Sequence, residues 1–200
     1  MKIAVFVSGR GSNLKAILDS PDLRSLIEVV SVVSNKASCQ AFEIANSYNI
    51  KKCVIGSSYG CESYGELSDI LIDLGVELIV LAGFLKLIPA EFINKFENRI
   101  INIHPALLPS FGGKGMYGIN VHEAVFRSSA KVSGATVHFV DNKYDSGTII
   151  AQHCVDISDV SSPGDIAAKV LEVEHQLLPE VLKAFANGKV QRLNNRVIIK

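Results

Sequence analysis

The segment Ile100-Ile101-Asn102-Ile103-His104-Pro105 carries the residue types best suited to chemistry. Side chains alternate along a strand, so Asn102 and His104 share one face and Ile101 and Ile103 the other. Pro105 ends the pairing and leaves both polar groups near the carboxyl end of an apolar strand. An unpaired buried amide or imidazole costs about 1–3 kcal/mol, so such a pair is either satisfied by loop backbone or put to use. A carboxamide and an imidazolium N–H can hold the oxyanion that forms when an amine attacks an acyl carbon. A carboxylate beside the imidazole would raise its pKa and favour the charged form near neutral pH. Asp145, in Asp145-Ser146-Gly147, is the candidate, although Asp before Ser-Gly is also ordinary turn chemistry. Spacing alone does not bring Asp145 to His104. No nucleophilic side chain is needed when the substrate supplies its own amine, and the chain has no G-x-S-x-G elbow.

A second candidate is the loop Ser8-Gly9-Arg10-Gly11-Ser12-Asn13 between an apolar run and a helical pattern. Glycine lets the chain turn sharply, and a helix start presents unpaired N–H donors, which together suit one phosphate group. Gly11, Ser12 and Asn13 would be its ligands. The same residues serve equally as a tight turn with Ser12 as N-cap. The third glycine position of a dinucleotide fingerprint holds Leu14, and no Gly-Lys-Ser/Thr follows. A phosphate monoester therefore fits better than a dinucleotide or a triphosphate.

The elements that must position these residues read as strand–helix alternation. Strands are expected at 3–7, 27–33, 52–55, 78–82 and 100–103, with helices near 13–18, 41–48 and 64–74 and another begun at Pro89. This pattern predicts an α/β fold. A mostly parallel twisted sheet has helices on both faces and is Rossmann-like in its N-terminal half. Ligands of such sheets bind beyond the carboxyl ends of the strands, where Asn102, His104 and the glycine loop lie. The second half differs. Residues 105–120 read as a Pro/Gly-rich functional loop. Residues 132–140 and 148–155 read as an antiparallel pair, Ser162-Pro163-Gly164-Asp165 as the opening of a long helix through about Ala186 that Asn187-Gly188 stops, and 190–199 as a small hairpin around Asn194-Asn195.

Bulk properties narrow the classes. The 200 residues suffice for one domain, which would bury roughly 70% of its unfolded surface. Twenty basic and twenty acidic residues give no net charge, which disfavours a long polyanion as partner. Cys39, Cys53, Cys61 and Cys154 form no C-x-x-C pair and read as reduced thiols of a cytoplasmic protein. No apolar run approaches the ~18 residues of a membrane span, and the N-terminus leads straight into the glycine loop rather than into a signal segment. The five histidines show no metal-ligand spacing, so no metal is expected. His153, beside Cys154, reads as core or edge packing.

Several segments together resemble the folate-dependent formyltransferases, and among them the phosphoribosylglycinamide formyltransferases. They are residues 7–14, Ser34-Asn35-Lys36-Ala37, residues 81–88, Asn102-Ile103-His104-Pro105-Ala106-Leu107-Leu108-Pro109, Val137-His138-Phe139-Val140, Asp145-Ser146-Gly147 and Glu174-His175. The resemblance implies that Asn102 and His104 polarise the formyl group, with Asp145 tuning His104. It implies that Gly11, Ser12 and Asn13 hold the substrate phosphate and Glu174 the ribose hydroxyls. Phe84, Leu85, Lys86, Leu87 and Ile88 would line the pterin pocket, with Asn102 and Val140 nearby. The co-substrate would be 10-formyltetrahydrofolate, without a metal. The partners would be small molecules, not nucleic acid or membrane, and the protein a monomer or homodimer. Residues 1–100 would form a phosphate-binding half and 101–200 a catalytic and folate-binding half of one domain. His122 and His138 lie near the site in the family pattern; without it both read as structural.

Two features depart from the family. The segment Ser63-Tyr64-Gly65 lacks the Arg that often meets the folate glutamate tail, and residues 111–118 differ from the shorter versions of that loop. Related alternatives are methionyl-tRNA formyltransferase, which needs a further tRNA-binding domain, and formyltetrahydrofolate hydrolase, which carries an extra N-terminal domain. The chain, starting at Met1 and ending at Lys200, is expected to have neither. A nucleotide-linked oxidoreductase and a non-catalytic phosphate-binding module are the readings from other classes.

Overall fold

The computed structural model describes residues 1–56, 60–194 and 196–200. The chain divides into two compact units, Met1–Ile101 and Asn102–Lys200.

The first unit contains β1 (Lys2–Phe6), α1 (Ser12–Asp19), β2 (Glu28–Ser34), α2 (Ala41–Ser47), β3 (Lys51–Val54), α3 (Tyr64–Asp73), β4 (Leu78–Leu81) and α4 (Ala90–Lys95). Its strands run parallel in the order β3-β2-β1-β4. β1 has a strand on either side, and Ile3, Ala4, Val5 and Phe6 are fully buried. That is the environment a continuous apolar run demands. Phe6 packs edge-on against Phe84 and also meets Phe92, which in turn packs against Tyr64 and Phe96, and this ties β1 to α3 and α4. α3 starts on a full capping box, Ser63 with Glu66.

Two local expectations need correction here. Ser12 is not the N-cap of α1 but its first residue. The cap is Gly11, held at φ 78°, with no side-chain capping bond. A Cβ at Gly11 would stand 2.7 Å from the Ala41 Cβ, so α2 leaves room only for glycine. Pro89 sits one position before α4, as its N-cap at ψ 144°, where its missing N–H is equally harmless.

The strand β5 (Ile100–His104) begins with the last two residues of the first unit and ends with the first three of the second. The second unit continues with α5 (Ile119–Arg127), β6 (Val132–Phe139), β7 (Ile149–Asp156), α6 (Pro163–Ala186), β8 (Val190–Leu193) and β9 (Arg196–Ile199). β6 and β7 pair antiparallel, as their short connection predicts, with a register shift between Val137 and His138. The Ser162 hydroxyl accepts the Asp165 N–H and Pro163 opens α6. β8 and β9 pair antiparallel as expected; Asn195, named in that expectation, lies outside the described residues. α5 was not anticipated. The Gly-rich stretch ends at Gly118, and Val121, His122 and Val125 supply a short buried helical face.

The Pro-Ala-Leu-Leu-Pro segment after β5 is stitched to the antiparallel pair. The Thr136 hydroxyl donates to the Ala106 carbonyl (2.6 Å) and accepts the Leu108 N–H (3.1 Å). The Gln152 amide donates to the Leu108 carbonyl and to the Thr136 oxygen. Gly134 lies so close to the His153 carbonyl and the Leu107 side chain that a Cβ there would overlap them. These contacts fix the tip of β5 against β6. Among the described residues no helix is long and apolar enough to cross a membrane.

Candidate active site

The three residues singled out for acyl-transfer chemistry meet in the second unit. Asn102 and His104 project from the end of β5, and the turn after β6 returns Asp145 to them. His104 Nδ1 lies 3.6 Å from Asp145 Oδ2. Asp145 adopts a left-handed conformation, φ 54°, which Asp tolerates better than most residues. Gly147 then passes so near the Phe139 carbonyl that a side chain would not fit. Asp141 closes the turn, accepting the Lys143 N–H and the Ser146 hydroxyl.

Backbone partners settle the proton positions. A carbonyl only accepts, so His104 Nε2 carries the hydrogen that it donates to the Phe111 carbonyl at 2.9 Å. The site that gains or loses a proton is therefore Nδ1, facing Asp145. His138 Nδ1 likewise donates to the Phe139 carbonyl at 2.7 Å. In the neutral ring its Nε2 is an acceptor, and Asn102 Nδ2 donates to it at 3.0 Å. His138 thus orients the Asn102 carboxamide, a role that reading the residues without a family pattern missed; the register shift of β6 aims its ring there. His138 Nε2 also lies 3.7 Å from Asp145 Oδ1, an electrostatic contact rather than a hydrogen bond.

The Gly-rich loop also reaches the His104–Asp145 pair. Gly113 N–H donates to Asp145 Oδ2 at 2.9 Å, two residues beyond the carbonyl that holds His104. A Cβ at Gly112 would stand 2.5 Å from Leu108 and 3.2 Å from the Asp145 Cβ. Residues 111–113 therefore clasp both ends of the pair, and Gly112 is what allows the close approach.

The electrostatics differ from expectation. Burial drives the His104 pKa down, and this outweighs the attraction of Asp145 and the bond to Phe111, which both act upward. The carboxylate was expected to raise it; with His104 only 3% exposed, desolvation wins. Burial pushes the Asp145 carboxyl up, but His138, His104 and the Gly113 N–H together hold it below the usual range. The site at rest is a neutral imidazole beside a charged carboxylate. His122, on α5, is buried with no hydrogen-bond partner at Nδ1 among the described residues; burial, then the neighbouring His104, lowers its pKa. Burial lowers that of His175 as well.

A pH dependence of stability follows. Three histidines titrate lower in the folded chain than the usual 6.5, so the unfolded chain binds more protons below that value. Their stabilising contribution is complete above about pH 6.5 and is lost as pH falls through the lower folded values. The depressed Asp145 adds a loss of the same sign further into acid, below 3.8. Thermal melts should show Tm falling from pH 6.5 downward, and falling less in His122→Phe. A flat Tm between about pH 7 and 5 would refute this.

The remaining candidates fall in separate places. Gly11, Ser12 and Asn13 form the β1–α1 turn of the first unit. Phe84 and Ile88 are buried in the loop after β4, whereas Leu85, Lys86 and Leu87 are exposed. Val140 follows β6 half-buried, and Glu174 is buried on α6. Among the described residues no group of three or more His, Cys, Asp or Glu is placed to hold a metal ion, and all four cysteines are free. His153 is partly exposed and pairs with Glu180 at 3.3 Å.

The formyl transferase family profile matches residues 1–182. The chain is 45% identical over 195 residues to the chloroplastic phosphoribosylglycinamide formyltransferase of Arabidopsis thaliana, covering 95% of this chain and 67% of that one. It is 34% identical over 200 residues to the phosphoribosylglycinamide formyltransferase of Haemophilus influenzae, covering 97% and 91%. The crystal structure of the Anaplasma phagocytophilum phosphoribosylglycinamide formyltransferase superposes with a TM-score of 0.90 at 31% identity, covering 100% of this chain and 94% of that one. The chain spans 62% of the chloroplastic relative from Vigna unguiculata.

Proposed function

The chain belongs to the formyl transferase family, in its phosphoribosylglycinamide branch, and from that premise we propose that it moves a formyl group from 10-formyltetrahydrofolate to the amine of N1-(5-phosphoribosyl)glycinamide, a step of purine synthesis. The observation that carries the reading is the cluster of Asn102, His104 and Asp145 at the tip of β5. The substrate amine attacks the formyl carbon, a C–N bond forms, and the carbonyl oxygen becomes an oxyanion. The Asn102 amide stabilises that charge. His104 enters neutral, with its Nδ1 lone pair available. The growing anion joins Asp145 in favouring the charged ring, so Nδ1 can take the proton that the amine sheds. The same proton leaves on N10 of the folate as the second C–N bond breaks. No enzyme nucleophile takes part.

Binding follows the same assignment. Gly11, Ser12 and Asn13 hold the phosphate at the start of α1, the end of a helix whose dipole favours an anion. Glu174 meets the ribose hydroxyls. Residues 84–88, Asn102 and Val140 receive the folate. The first half of the chain is in this reading phosphate-binding and the second catalytic. The protein acts without a metal in the cytoplasm, as a monomer or homodimer. Two plant relatives are named as chloroplastic, so fractionation of tagged protein tests the compartment.

The deciding assay mixes purified protein with both substrates and follows release of tetrahydrofolate. Transfer by the wild type, abolished in His104→Ala, is expected. Release that does not need the ribonucleotide would make the protein a hydrolase instead, and no release would end the proposal. The orienting role of His138 has its own test. His138→Leu should lower kcat about 5- to 100-fold, the effect of losing one buried hydrogen-bond partner. In the Asn102→Ala background the same change should cost almost nothing, because the group it orients is gone. Additive losses would refute that role.

A further inference from the structure

Ser8 belongs by position to the phosphate side of the molecule, ahead of Gly9 and Gly11, yet its bonds run to the other loop. Its N–H donates to the Gly83 carbonyl at 3.0 Å, and its hydroxyl oxygen accepts the Leu85 N–H at 3.0 Å. The hydroxyl proton goes to Asn35 Oδ1 at 2.6 Å, so that the oxygen's lone pairs face Leu85. Ser8 is 3% exposed, so no bulk water can replace these bonds. The turn it grips is otherwise lightly held. Gly83 sits at φ 77°, and Leu85 and Leu87 are about half exposed. Phe84, edge-on to Phe6, and Ile88 anchor it in the core. The phosphate turn has separate supports. The Gly9 carbonyl accepts the Ala41 N–H and the Cys39 thiol, both at 3.2 Å.

We propose that Ser8 is a positioning residue for the folate: its hydroxyl sets the backbone of residues 83–85, and so the affinity for the formyl donor, while leaving the ribonucleotide site nearly unaffected. The proposal rests on the assignment of residues 84–88 to the pterin. A loop that reads its ligand through backbone groups depends on each of those groups being held in place. Removing the hydroxyl strands the Leu85 N–H, and the turn gains freedom that binding must then remove.

The test compares Ser8→Ala and Asn35→Ala with the wild type, using 10-formyltetrahydrofolate and the ribonucleotide in separate titrations. In Ser8→Ala the KM for the folate should rise about five- to tenfold, as for one unpaired buried donor, with the ribonucleotide KM within about twofold. Asn35→Ala, which leaves the Ser8 oxygen in place, should raise the folate KM less. Hydrogen exchange at the Leu85 amide supplies a readout independent of activity: protected in the wild type, faster in Ser8→Ala. A folate KM unchanged in Ser8→Ala, parallel rises in both KM values, or unaltered Leu85 exchange would overturn the role of Ser8. A wild type that transfers no formyl group would overturn the proposed function, while the exchange measurement would still judge the bond.

Discussion

Asp145→Asn should reduce kcat by about 10²–10⁴, the range that positioned proton-transfer groups contribute, while KM for both substrates changes little. The substitution keeps size and shape, and the amide oxygen can still accept the Gly113 N–H. What it removes is the negative charge 3.6 Å from His104 Nδ1. Burial already pushes His104 toward its neutral form, and Asp145 is the first of the groups opposing that push. Without it, the ring has little reason to take the proton shed by the attacking amine. With its oxygen kept on the Gly113 N–H, the asparagine leaves His104 Nδ1 facing a neutral amide oxygen, a much weaker stabiliser of the charged ring. Tm at neutral pH should stay within a few degrees of wild type, since the shape of the side chain and its bond to Gly113 are kept. Near-normal turnover in a folded Asp145→Asn would show that Asp145 does not act through His104.

Asn102→Ala should cost about 10²–10³ in kcat, as removal of one oxyanion donor does elsewhere. The loss belongs to the tetrahedral stage, so kcat and kcat/KM should fall together. Asn102→Asp is the sharper companion. It matches asparagine in shape but offers only acceptor oxygens beside a developing negative charge. Its activity should be no higher than that of the alanine variant. An aspartate variant more active than the alanine variant would mean that Asn102 serves by packing rather than by donating.

These two expectations separate what is written locally from what folding adds. Residues 3–7 and 78–82 announced covered parallel strands, because a strand covered on both faces must be apolar throughout, and they emerged in β1 and β4; residues 27–33, rich in Val but holding Glu28 and Ser31, announced a strand and emerged in β2. Asn102 and His104 were legible for a related reason: two polar side chains on one face of an apolar strand end, before a proline, demand partners. The helix α5 escaped notice, since nine residues behind a glycine run carry too few turns for a clear period.

Taken by itself, then, the amino-acid order determined the α/β alternation, the polar pair at the strand end and the glycine turn, all features that depend on neighbours a few residues apart. Only the tertiary structure decided that Asp145, distant in the chain, faces His104, that His138 bonds Asn102, and that residues 111–113 hold both His104 and Asp145. It also reversed the direction of the His104 shift. Burial is a property of everything packed around a group, and no local spacing records how much water a folded chain excludes.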